Sequence, residues 1–314
     1  MACPSIYKPG LFTGRVAIVT GGGSGIGFAI ADELLELGAR VVIAGRNEEK
    51  LAAAVATLIA AAPDTRRGQL LSFRCNIRSE EDVRALMAFV LENFHRIDHL
   101  VNNAGGQFPC AAGLMKTKGW RAVIDTNLNG TFLMSREVFT QWMATHPGGS
   151  IVNITADFHK GVSHTHTHTH THYTHITVLS TTILPNTLLL LLVVLTLSRS
   201  LSLSLSLTLQ FPGMAHTGAA RAAVDNLTKT LAVEWAANGV RVNSVAPGLV
   251  HSASASANYA TQFKANALAS MWPLAPAKRI GTVEEVRAST LNFFCLEGSL
   301  RAYVRARCCC MLLP

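Results

Sequence analysis

The segment Thr20-Gly21-Gly22-Gly23-Ser24-Gly25-Ile26-Gly27 places five glycines in eight positions. A short apolar run rich in β-branched residues, RVAIVT (Arg15 to Thr20), leads into it, and FAIADELLELG follows. In the second stretch Ile30, Leu34 and Leu37 share one helical face, and Gly38 is placed to end the helix. A strand that enters a glycine-rich bend and continues as a helix is the opening of a β-α-β unit. Lacking Cβ atoms, such a bend lets backbone approach a diphosphate, and the helix N-terminus favours its charge. Glycines alone also suit a tight turn. The strand–loop–helix context, with a second strand placed to meet an adenosine ribose, favours the dinucleotide reading.

The alternation continues. ARVVIAG reads as a second strand, and Glu48 to Ala62 as a helix. QLLSFRCNI is a third strand, and SEEDVRALMAFVLENF a helix opened by Ser79 with acids in its first turn. HLVNNAG is a fourth strand, GWRAVIDTNLNGTFLMSREVFTQWM one long helix, and GSIVNIT a fifth strand. This rhythm predicts an α/β fold: a Rossmann-type, doubly wound parallel sheet in a single domain, with ligands bound outside the strand carboxyl ends. The second strand ends Ala44-Gly45-Arg46. An acid there would hold ribose hydroxyls; Arg46 offers a cation and a fork of donors suited to a 2′-phosphate, so the expected cofactor is NADP(H).

Composition narrows the partners. The 314 residues are 49% apolar, enough for a full core, and carry net charge +8 with a pI near 9.3. That balance suits an anionic ligand. No run of five Lys/Arg and no zinc-finger or RNA-binding signature argues for nucleic acid. The seven cysteines include the terminal Cys308-Cys309-Cys310, and the others lack metal-type spacing, so free thiols are expected. The N-terminus has no secretion-signal pattern, and the final Met-Leu-Leu-Pro matches no targeting address.

TGGGSGIG, NNAG (Asn102 to Gly105), Asn127-Leu128-Asn129-Gly130 and VAPG (Val245 to Gly248) occur in an order that resembles the short-chain dehydrogenase/reductase family. The likeness covers about residues 12–160 and 211–285. NNAGGQF, the segment HTGAARAAVDNLTKTLAVEWAANGVRVNSVAPG and PAKRIGTVEEV resemble the family's enoyl-CoA-reducing branch. That resemblance implies NADPH-dependent reduction of a trans-2-enoyl-CoA in fatty-acid metabolism, in a homo-oligomer, in peroxisomes. The C-terminal targeting signal is not present in this sequence, which leaves the cytosol as an alternative. It implies cofactor contacts at Thr20, Gly21, Ser24, Gly25, Ile26, Gly27, Arg46, Asn76, Asn103, Ala104, Gly105, Pro247 and Gly248. Asn127 would orient a water or a lysine, and Gly106-Gln107-Phe108 with residues 251–272 would shape the acyl pocket. No metal is implied.

The chain departs from the family at the catalytic pair. Members carry Tyr-x-x-x-Lys, and no such pair occurs here. One register places Asp225 and Lys229 at the two positions; the other places Thr217 and Arg221 there. A carboxylate accepts hydrogen bonds and cannot donate one, and threonine is a poor acid. Lys229 lies ~12 Å further along the helix than Arg221, so the second register sits nearer the strand ends, while the enoyl-CoA branch matches the first. Both stay open. The family's catalytic serine would fall near Thr155, a partial substitute.

Residues 162–210 break the pattern. HTHTHTHTHYTH (His164 to His175) is followed by an apolar stretch and then SLSLSLSLTLQ (Ser200 to Gln210). Alternating histidines on a strand would share a face and could bind zinc or copper, but a plain repeat lacks the mixed ligands and set spacing of such sites. Leu188 to Leu195 is too short for a span, which needs ~20 apolar residues. The repeats are what CA and CT dinucleotide repeats encode. Val162-Ser163 can be written as a splice donor, and Leu209-Gln210 as a splice acceptor. Removing 162–210 restores family spacing. We read the segment as a low-complexity insertion from a retained intron. The domain is then 12–161 with 211–286, and 287–314 is a divergent tail expected to lack the family's helix and last strand. Both changes are expected to leave the chain unstable and nearly inactive. Other readings are a 2,4-dienoyl-CoA or carbonyl reductase, or a catalytically dead NADP-binding protein.

Overall fold

The computed structural model describes residues 5–61, 63–66, 68–156, 213–248, 250–252 and 279–295. Contacts divide the chain into two compact units, Met1–His159 with Phe211–Pro314, and Lys160–Gln210. All described residues belong to the first. The insertion 162–210, with its histidine repeat and apolar run, lies outside them, as do residues 296–314.

Six strands form one parallel sheet: β1 (Val16–Thr20), β2 (Arg40–Gly45), β3 (Leu70–Arg74), β4 (His99–Asn102), β5 (Ser150–Ile154) and β6 (Arg241–Val245). Their order is β3-β2-β1-β4-β5-β6. The chain winds outward from β1 to β3, then crosses to β4 and winds the other way. The switch leaves a crevice between the carboxyl ends of β1 and β4. Every residue of β1, β4 and β5 is buried, as parallel strands covered on both faces require.

Strand alternation feeds two cores. Ala17, Val19, Val41 and Ile43 face α1 (Gly25–Glu36), α2 (Glu48–Ala61) and a C-terminal helix. Val16, Ile18 and Val42 face the opposite layer, with Met134, Val138, Leu231 and Trp235. Ile30, Leu34 and Leu37, the stripe expected on α1, are fully or almost fully buried. Each such side chain contributes roughly 1.5–3 kcal/mol over its exposed state. Gly38 ends α1 at φ +91°. The four-residue α3 (Pro63–Arg66) precedes β3. In α4 (Glu80–Phe94) Ser79 caps the first turn by accepting from the Asp82 amide at 3.1 Å.

Two expectations are corrected. The long helix after β4 is α5 (Thr117–Ile124), a wider π turn (Asp125–Asn129), α6 (Gly130–Val138) and a second π turn (Phe139–Met143). At the first π turn the Thr131 hydroxyl donates to the Asn127 carbonyl at 2.9 Å, competing with the regular ladder. Downstream, α7 (Ala215–Glu234) packs on β6, and α8 (Val283–Cys295) packs on α1. The helix expected to be missing after Val286 is therefore present. Val286, Leu291, Phe293 and Phe294 are buried in the core, and Arg287 Nε lies 2.8 Å from the buried Glu33 carboxylate.

Candidate active site

The first element of the site is the Thr20–Gly27 bend. Gly21 (φ +67°) and Gly25 (φ +57°) take left-handed backbone, accessible at little cost only to glycine. A Cβ on Gly27 would lie 2.5 Å from both the Asn103 amide nitrogen and the Gly21 carbonyl oxygen. The bend thus brings backbone together where no side chain fits. Ser24 stands at the N-cap of α1 in extended conformation and makes no capping bond with its side chain, and Ile26 packs against the core. Amides at this helix start point to where an anion would be held.

Below the bend, two expected cofactor residues act as braces. The Thr20 hydroxyl donates to the Val101 carbonyl at 3.1 Å and accepts from the Asn103 and Ala104 amides at 3.0 Å each. One donor and two acceptor positions exhaust a hydroxyl, so Thr20 ties the end of β1 to the end of β4. The Asn103 side-chain amide donates to the Thr20 and Gly21 carbonyls at 3.0 and 3.3 Å. Arg46 is exposed just beyond β2. Asn76, past the end of β3, is half-buried, and its amide donates to Asp82 at 2.8 Å. Pro247 is buried and Gly248 exposed beyond β6.

The second element is α7, and it separates the two registers. The Arg221 Nη1 donates to the Ile154 carbonyl at 2.6 Å, at the carboxyl end of β5. Its Nη2 fills the space that a Gly105 side chain would need, with Asn127 Oδ1 only 2.9 Å from that same position. Asn127 is fully buried. It accepts from the Gly106 amide at 2.9 Å and donates to the Gly106 carbonyl at 3.0 Å. Burial pulls the Arg221 guanidinium down to about 10, partly offset by Asp225, and it stays cationic at neutral pH. Arg221, Asn127, Gly105 and Gly106 therefore meet at the strand ends, with the buried Thr217 one turn before Arg221 on the same helix face. Thr155 closes the end of β5, its amide and hydroxyl both directed at the Val245 carbonyl.

Asp225 and Lys229 are not in this group. Asp225 is buried one turn further along α7 and accepts from the Ser244 hydroxyl of β6 at 3.2 Å. Lys229 is exposed, a further turn away.

A buried polar chain that sequence reasoning missed runs beneath the site. Asn102 donates to Ser135 and to Asn153 at 2.9 Å each, and Asn153 donates to Thr228 at 2.9 Å. It links β4, β5, α6 and α7. The signal was an asparagine near the carboxyl end of each of two buried strands, Asn102 in HLVN and Asn153 in SIVNI. His216, at the start of α7, was missed too. Among the described residues no helix is long and apolar enough to cross a membrane, and no group of three or more His, Cys, Asp or Glu could hold a metal.

Residues 15–166 match the family model of short-chain dehydrogenases, and residues 198–300 match a model described as enoyl-(acyl carrier protein) reductase. The mouse protein named peroxisomal 2,4-dienoyl-CoA reductase [(3E)-enoyl-CoA-producing] is 31% identical over 95% of this chain and 82% of its own length. The chain belongs to the short-chain dehydrogenase family. A zebrafish (Danio rerio) protein of the same name is 34% identical over 77% of this chain, which spans 63% of that relative. Among solved structures, a citronellol catabolism dehydrogenase from Pseudomonas aeruginosa PAO1 aligns with TM-score 0.64 and 37% identity, covering 91% of this chain and 90% of its own. The chain is thus an oxidoreductase of a family that binds a nicotinamide cofactor. The glycine bend fits that group's diphosphate.

Proposed function

We propose that the protein is an NADPH-dependent reductase of α,β-unsaturated acyl-CoA thioesters, a trans-2-enoyl-CoA reductase of the peroxisomal type acting in fatty-acid metabolism. The observation that carries this reading is the Thr217–Arg221 pair at the strand ends, with no tyrosine at the position of Thr217. Ketone reduction requires a proton delivered directly to oxygen by a competent acid. Reduction of a conjugated double bond protonates carbon, and needs at oxygen only a donor to negative charge. Bound NADPH supplies the hydride. The backbone of Gly21 to Gly27 would hold its diphosphate, Arg46 its 2′-phosphate, and Asn76, Ala104, Gly105, Pro247 and Gly248 the remaining edge.

Arg221 would hold the nicotinamide ribose in place of the family's lysine, and Asn127 would fix the Gly106 backbone against it. Thr155 would border the reacting carbons. Asp225 and Lys229 would be structural. A homo-oligomer in the peroxisome is the assembly and place that the resemblance favours.

A second reading, reduction of 2,4-dienoyl-CoA, is favoured by the names of the zebrafish and mouse relatives. The purified full chain is tested by NADPH oxidation with a trans-2-enoyl-CoA, a 2,4-dienoyl-CoA and a 3-oxoacyl-CoA in parallel. Turnover is expected with the first, and with NADPH over NADH, at a much reduced rate in the full chain because of the insertion and the divergent tail. Preference for the second substrate selects the dienoyl reading, and preference for the third overturns both. NADPH binding seen by fluorescence, with no turnover of any substrate by the chain with or without 162–210, identifies a catalytically dead NADP-binding protein.

A further inference from the structure

The first two turns of α7 hold polar groups that the fold leaves unanswered. His216 and Thr217 have no exposed surface. Neither ring nitrogen of His216, nor Thr217 Oγ1, nor Arg221 Nε makes a well-formed hydrogen bond among the described residues. An unpaired buried polar atom gives up its hydration without return, so such atoms are rare singly and need a reason when grouped. These four lie within two turns of one helix, where Arg221 meets the ends of β4 and β5.

The surroundings of His216 specify what the group could receive. Burial lowers its pKa, although the Met214 and Phe108 backbones lie close enough to favour the charged ring. The imidazole is therefore neutral at physiological pH and presents one N–H donor and one acceptor. Phe108 lies edge-on against it, with ring centroids 4.8 Å apart and planes at 79°. A Cβ on Gly119 would come within 2.9 Å of Phe108 Cζ, so that ring fills the space between α7 and α5. The neighbouring Gly106 is clasped on both backbone atoms by Asn127. To reach His216 a ligand would have to displace the Phe108 side chain, since the nearby loop is held at Gly106.

We infer that His216 donates a hydrogen bond to the carbonyl oxygen of the acyl thioester, supplying the donor that the missing tyrosine would have been. The inference rests on the reductase reading above. A neutral N–H suits that oxygen, which gains negative charge as the hydride reaches the β-carbon. It brings no positive charge that would have to be desolvated beforehand. Thr217 and Arg221 lie one helix face away and remain available to the cofactor side.

The test uses the full chain loaded with NADP+, which cannot reduce the substrate, and a trans-2-enoyl-CoA. Hydrogen bonding at the carbonyl polarises the conjugated thioester and moves its ultraviolet band to longer wavelength. The wild-type protein should show that shift. His216→Leu should bind NADPH as before and leave the band at its free position, and His216→Gln, which retains a donor, should keep part of the shift. A full shift in His216→Leu overturns the inference. If His216→Leu loses cofactor affinity through misfolding, the wild-type protein labelled with 15N-histidine decides. The ring resonance that is absent from His216→Gln must move on addition of enoyl-CoA, and a resonance that stays in place overturns the inference. Wild-type protein that binds NADPH but takes up no enoyl-CoA overturns the reductase reading and this inference together. Uptake with a band indifferent to residue 216 overturns the inference alone.

Discussion

A methyl group on Gly27 would press into two atoms at 2.5 Å, the Asn103 amide nitrogen and the Gly21 carbonyl oxygen. Neither is the free end of a flexible chain. Asn103 is fastened to the Thr20 and Gly21 carbonyls, and Thr20 is fastened to β4. Gly27→Ala is therefore expected to push the bend away from the ligand and weaken NADPH by at least about tenfold, some 1.4 kcal/mol, in a fluorescence titration. Unchanged affinity would show that the bend does not hold the diphosphate. His99 makes a different prediction. It is buried beside Phe12 and Phe294, and burial holds its pKa down to about 3 despite the neighbouring Asp98. The unfolded chain takes up that proton near pH 6.5. Between those values the unfolded state binds more protons, so stability is lost as pH falls from about 6.5 towards 3. Burial alone would raise the Asp98 pKa, but bonds from Arg96, the Val16 amide and Arg15 outweigh it and lower the value. Asp98 therefore adds its own loss only at the acid end of the range. Urea midpoints measured across mildly acid pH should drop in the wild type and drop less in His99→Phe.

At the scale of elements, α8 is held to α1 by more than apolar contact. Arg287 and Glu33 are both buried and lie 2.8 Å apart, with Asp32 of α1 at 4.0 Å from Arg287 and 2.6 Å from Arg66. Removing one member of a buried pair strands the other charge, which typically destabilises by about 3 kcal/mol or more. Glu33→Ala should lower the urea midpoint by that order, and the double variant Glu33→Leu/Arg287→Leu should recover most of it. A single variant as stable as wild type would show that α8 is not anchored this way. The pattern for α8 was in the sequence. Val286, Thr290 and Phe293 recur at helical spacing, but matching to a family tail hid it. The first five strands and the caps of α1 and α4 were legible because period, glycine and Ser79 act locally; β6 (Arg241–Val245), whose residues mix polar and apolar, was not read as a strand. The π turn at Asn127 was not, because the bonds that hold Asn127 against Gly106 lie 21 residues apart in sequence and leave no local pattern. The registers of α7 were equally opaque. Four-residue spacing fits both pairs, and only the depth of α7 against β5 distinguishes Arg221 from Lys229.

At the scale of the whole molecule, the described residues on either side of 162–210 are joined directly. The amide of Cys110 donates to the Gly213 carbonyl at 2.9 Å, tying the chain just past the insertion to the loop after β4. The described members of the sheet, of both cores and of the helix ends around the bend come from the segments that flank the insertion. Closing a longer loop adds only a slowly growing entropy term, so the insertion alone need not unfold the domain. Its apolar run from Leu188 to Leu195 is the larger burden, because so apolar a stretch must be buried or it promotes association. A variant in which residues 162–210 are deleted, joining Gly161 to Phe211, is therefore expected to be more soluble and no less stable than the full chain, and to bind NADPH at least as tightly. Urea midpoint, sedimentation and cofactor fluorescence measured side by side read all three quantities. A deletion variant that loses the cofactor or unfolds would show that the repeats are an integral part of the fold. Survival of binding would leave the β1–β4 crevice, with Arg221 at its edge, sufficient to hold the dinucleotide.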